Sequence, residues 1–167
     1  MAASLRRSST KRFTRTLLVA FAASLGASCG GGEEPVEPAL EPSACEGRAE
    51  PVSIGMDRAS EDGALFLEVR EAAPMPPETG DNAWTLEARS GSGEPVEGGT
   101  VVVNAFMVDH GHGSPAQQGI EVEAPSGVYE VSPILLSMPG YWELTFEVTP
   151  PDGPTETLVF PVCVERT

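Results

Sequence analysis

From Gly63 onward the chain is cut into short lengths by turn residues, and no other feature limits its fold as strongly. Pro74, Gly80, Gly91, Gly99, Gly111, Gly127, Gly140 and Pro150 fall between runs of alternating apolar and polar residues. Proline removes a backbone donor and clashes with a preceding helical turn, and glycine costs helix stability, so no stretch is left for a long helix. The sequence holds 18 glycines and 16 prolines in 167 residues, about a fifth of the chain. That is above the usual globular share and below the level that marks disorder. With 40% apolar residues there is enough to bury one core.

The runs between the turns have a period of two. Ala64–Val69 and Ala83–Ala88 are short apolar or alternating runs, with Trp84 and Leu86 on one face and Thr85 and Glu87 on the other. Thr100–Val108 is β-branched and strongly apolar, which predicts a central strand. Ile120–Glu123, Val128–Leu136 and Tyr141–Val148 follow, the last with Trp142, Leu144, Phe146 and Val148 on its core face. Thr157–Val164 closes the series, and Pro161 within it predicts an edge strand or a bulge. About seven short strands bounded by Gly/Pro turns predict an all-β fold, an immunoglobulin-like antiparallel β-sandwich over residues 45–167. Without crossover helices a parallel sheet is excluded.

The first 28 residues read as a signal peptide: a basic stretch ending at Arg15, an uncharged apolar stretch to Leu25, then small residues. The apolar stretch is too short to span a bilayer. Leu25-Gly26-Ala27-Ser28-Cys29 resembles a bacterial lipoprotein processing site, and that resemblance implies lipidation of Cys29, although Gly26 stands where the large aliphatic residue usually falls. Residues 29–44 are acidic and spaced by prolines, the composition of a disordered, solvated tether. The expected location is the bacterial cell envelope. A lipid anchor is the expected contact with the membrane, and Gly30 lacks the acidic signal of inner-membrane retention, which points to the outer membrane. Once residues 1–28 are removed, five arginines face 25 acids. Such a surface repels phosphate backbones, so nucleic acid is excluded as a partner.

Cys29 set apart, Cys45 and Cys163 remain, and an even pair in an exported chain predicts a disulfide between the start of the domain and its last strand. Metal ligation by one of them is the alternative. Both histidines of the chain lie in Asp109-His110-Gly111-His112-Gly113, directly after the most apolar strand. Gly111 and Gly113 give the backbone freedom to converge two imidazoles on one ion. Met107 precedes the loop and Met138 lies in a Ser-Met-Pro-Gly turn. Imidazole and thioether together suit copper, Cu(I) above all, better than a hard cation. The same residues also fit a plainer reading, in which the histidines solvate a glycine loop and the methionines fill the core.

Met107-Val108-Asp109-His110-Gly111-His112-Gly113, Gly127-Val128-Tyr129 and Met138-Pro139-Gly140-Tyr141-Trp142-Glu143-Leu144 together resemble, over Val102–Val164, the YtkA-like domain family, relatives of the FixH-like proteins. The resemblance implies an exported, often membrane-tethered immunoglobulin-like sandwich with a role near copper delivery or oxidase assembly. Its candidate metal ligands here are His110, His112, Met107 and Met138. Val108-Asp109 departs from the Met-Pro type residues that relatives often carry there. The sequence offers no Ser/His/acid order, Cys/His pair, phosphate loop or HExxH, so no enzyme is expected. The competing expectations are a copper-handling lipoprotein and a metal-free module that binds another envelope protein.

Overall fold

The computed structural model describes residues 45, 47–122 and 126–166. The expected signal peptide, Cys29 and the tether lie outside the described residues. Ten strands and no helix are present among those described. One sheet has the order β1 (Asp57–Ala59), β2 (Leu65–Ala73), β3 (Gly80–Ser90), β8 (Val128–Leu136), β7 (Ile120–Glu121). The other has the order β10 (Glu156–Val164), β9 (Gly140–Thr149), β4 (Thr100–Met107), β5 (His112–Gly113), with β6 (Gln117–Gln118) also paired to β4. All pairings are antiparallel. Chain order and pairing reproduce the ABED and CFG sheets of an immunoglobulin-type sandwich, with β2, β3, β8 and β7 in one sheet and β4, β9 and β10 in the other.

Alternation decides which face each strand buries. Trp142, Leu144, Phe146 and Val148 of β9 are all fully buried, whereas Glu143 and Thr145 are half-buried and Glu147 is exposed. The six long strands match the alternating runs of the sequence. The extra strands are two or three residues long and carry too little pattern to be read from sequence alone: β1, β5 and β6. β10 pairs with β9 and forms a sheet edge, so Pro161 costs no ladder bond on its open side. Pro133 lies inside β8, where the register against β3 shifts between Asn82 and Trp84, and a bulge spares it a donor role.

Between the sheets sits an aromatic trio. Trp84 of β3 stacks on Phe146 of β9 at 6.1 Å and meets Phe160 of β10 edge-on at 5.8 Å. Phe146 and Phe160 are themselves edge-to-face at 5.5 Å. Offset and T-shaped pairs of this kind add to the free energy of area burial. Tyr129 of β8 is buried as well: its hydroxyl donates to the Val96 carbonyl at 2.7 Å and accepts from the Gly99 amide at 2.9 Å. Tyr129→Phe leaves both backbone groups short of a partner and is expected to lower stability by about 1–3 kcal/mol, measured by urea denaturation. An unchanged midpoint would show that water replaces the hydroxyl at no cost.

On the outer face of the first sheet Arg70 and Arg89 alternate with Glu68 and Glu87 in a ladder of ion pairs. Arg58 pairs with Glu50 and Arg48 with Asp109. Each of these arginines is thus paired with an acid of the same chain.

Candidate metal centre

The hairpin from β4 to β5 is built by its backbone. The Met107 carbonyl accepts from the amides of His110 at 3.2 Å and Gly111 at 2.9 Å. Gly111 has φ of +67°, a left-handed conformation that lets the chain reverse in four residues. Met107 then pairs in register with His112 on β5 and with Trp142 on β9. Directly opposed residues on neighbouring strands place their side chains on one face. His112, Met107 and Trp142 therefore form a single row running from the sheet edge into the core.

The rings confirm the row. The His112 ring lies 6.1 Å from that of Trp142, edge-to-face at 78°. The His110 ring lies 5.8 Å from the His112 ring at 74°. Trp142 Nε1 donates to the Met138 carbonyl at 3.0 Å, which draws the Ser137–Pro139 turn against the same indole. The structure thus brings His110 and His112 together at the hairpin tip, with Met138 partly buried against the core and its carbonyl on Trp142. Met107 is only 2% exposed and its methyl lies against Gly140, where an added Cβ would collide with it. It forms the floor of the hairpin.

Two imidazoles on one ion, each with a metal–nitrogen bond of about 2.0 Å and a ring centre about 1.1 Å beyond, stand with centroids about 5–6 Å apart. The observed 5.8 Å falls in that range. The donor set is nitrogen with sulfur close by, the preference of a soft ion. Oxygen donors are held elsewhere: Asp109 accepts from Arg48 Nη1 at 2.6 Å, and that hydrogen bond holds its carboxyl below the usual carboxylate range. The Arg48 guanidinium also stacks on the Tyr141 ring, 3.9 Å from its centre. Burial, together with the neighbouring Glu143, pushes the Tyr141 hydroxyl up. Among the described residues, the three-residue group of His, Cys, Asp or Glu with converging donors is Cys45, Cys163 and Glu165, and its two sulfurs are joined in a disulfide of 2.06 Å. The expected bridge is formed, linking Cys45, well ahead of the first strand, to β10.

Sequence reading named His110, His112, Met107 and Met138 as candidate ligands and took Trp142 as a core or edge-of-core residue. Its place beside His112 follows from the β4–β9 register, to which the Met-Pro-Gly-Tyr-Trp segment was the one available clue. Arg48 was missed altogether: it lies 61 residues from Asp109, and nothing local marks it as a partner of the loop.

An immunoglobulin-type sandwich with a histidine hairpin at the edge of its second sheet defines the class. The chain belongs to the YtkA-like family, whose model matches residues 64–147. The match begins earlier than the resemblance placed at Val102–Val164, taking in all of β2 and β3, and ends at residue 147. No curated protein and no solved structure matches the chain.

Proposed function

We propose that this protein is a non-catalytic, lipid-anchored sandwich of the cell envelope that binds copper at its β4–β5 hairpin. The observation that carries this reading is the 5.8 Å approach of His110 and His112, at a hairpin tip whose floor is Met107 and whose wall is Trp142. His110 and His112 would hold the ion and Met138 would supply a thioether from the neighbouring turn. The acidic, proline-spaced segment 29–44 supports a tether, and Leu25–Cys29 supports lipidation at Cys29.

The test is titration with Cu(I), or with Ag(I) as its redox-silent counterpart, in a Cys29→Ser background. That background removes the thiol that stands outside the disulfide. One equivalent is expected to bind. His110→Ala/His112→Ala is expected to weaken binding by more than the roughly 10–100-fold typical of losing an outer-shell partner. Equal binding by both proteins would remove the hairpin from consideration.

A second reading rests on Phe106, Val108 and Leu135, exposed large apolar residues in and near the same hairpin. Leu135 is held there by its carbonyl, which accepts from the Ser114 hydroxyl just after β5. In that reading the hairpin contacts another envelope protein. Crosslinking lost on Phe106→Ser and Val108→Ser but kept in the double histidine variant would favour it.

A further inference from the structure

We propose that the segment Cys45–Arg48 is a positioning strap that sets the metal affinity of the hairpin, with Arg48 as the positioning residue and the Cys45–Cys163 bridge as its anchor. The inference rests on the metal reading above and adds a control element to it.

Five contacts make the chain of connection. Cys45 is buried and bonded to Cys163 of β10. Cys163 pairs in register with Tyr141 of β9, the residue before Trp142. The Cys45 carbonyl accepts from the Arg48 amide at 2.9 Å, so a tight turn returns the chain over Tyr141. From there the guanidinium lies 3.9 Å from the Tyr141 ring centre and reaches Asp109 at 2.6 Å.

Asp109 is the neighbour of His110 in a turn whose residues 108–111 are all exposed. Such a turn has little burial to order it, and its two bonds to the Met107 carbonyl fix the backbone rather than the imidazole. Among the described residues, the Arg48–Asp109 bond is the side-chain hydrogen bond that ties this turn to another element. An exposed ion pair by itself contributes little to stability. Its effect here is on position: a turn free to sample several states pays an ordering penalty when two rings must meet one ion, and a braced turn has met that penalty in advance.

The experiment is Ag(I) titration of the full chain in the Cys29→Ser background, well below the melting temperature of every variant. Arg48→Gln and Asp109→Asn are each expected to bind about tenfold more weakly, equivalent to about 1.4 kcal/mol. The double variant is expected to be no weaker than either single one, because both remove one brace. Cys45→Ser/Cys163→Ser is expected to show the same loss, with no further loss on adding Arg48→Gln. Nitrogen-15 spectra of the imidazoles should show the His110 ring signal broadened in the metal-free variants, a change that a purely stabilising strap would not produce. If the parent binds and Arg48→Gln binds equally well, or if the single effects add, the strap is overturned while the metal site stands. If the parent binds no Ag(I), the metal reading fails and the strap proposal fails with it.

Discussion

Replacing Cys45 and Cys163 by serine is expected to lower the unfolding free energy by up to about 4–5 kcal/mol. The bridge spans 118 residues, so it constrains nearly the whole domain in the unfolded state. Loop-closure entropy grows slowly with length, and a loop of this size sits near the top of the usual range. Against a total stability of about 5–15 kcal/mol for a domain, a loss of that size is about a quarter or more. Urea denaturation checks it: the midpoint should fall steeply, and the slope with denaturant should rise because the uncrosslinked chain exposes more surface on unfolding. A loss below about 1 kcal/mol would show that the denatured chain is already compact. The bridge then contributes position rather than stability, since its near end carries Arg48 to the hairpin.

The second large effect is at Trp84. Trp84→Ala empties the space against Phe146 and Phe160 and is expected to cost about 3–5 kcal/mol, a large share of a domain's stability. Trp84→Phe is the informative partner. The Trp84 Nε1 group is buried and has no hydrogen-bond partner among the described residues. Phenylalanine keeps an aromatic ring in the trio and removes that unpaired donor, so part of the lost packing is offset by relief of a desolvated N–H. Thermal unfolding should place Trp84→Phe far closer to the parent than to Trp84→Ala. Equal losses in the two variants would show that the shape of the indole, and not its apolar bulk, holds the trio together.

The contrast between Trp84 and Trp142 explains how much of the protein was legible. Both fall in alternating runs, and alternation alone marked both as core. For Trp84 that is the whole account, because its neighbours are Phe146 and Phe160. Trp142 also faces His112, and it does so because Met107 stands opposite both residues across two strand pairings. Register is not written in the period of one strand. It emerges when turn length and buried faces are satisfied together.

The short strands β1, β5 and β6 illustrate the same limit. β5 is two residues long, and its existence depends on the Met107 carbonyl being free to close a turn. Ile120 of the edge strand β7 is 74% exposed despite its apolar character, because it stands opposite the exposed Glu130 of β8 on the solvent face of the sheet. Local pattern reports a tendency to be buried. Whether a neighbour arrives to bury it is a property of the assembled sheet.

What the sequence determined by itself is the part governed by near neighbours. Turn residues set where strands stop, alternation set which faces turn inward, and two cysteines at opposite ends of the domain announced their bond. The tertiary structure decided the part governed by distance along the chain: that β4 lies between β9 and β5, that an indole stands beside the His112 imidazole, and that an arginine 61 residues away holds the aspartate next to His110. Short-range backbone sterics act on every chain with these residues. Long-range contacts exist only once the whole core has formed and brought them within reach.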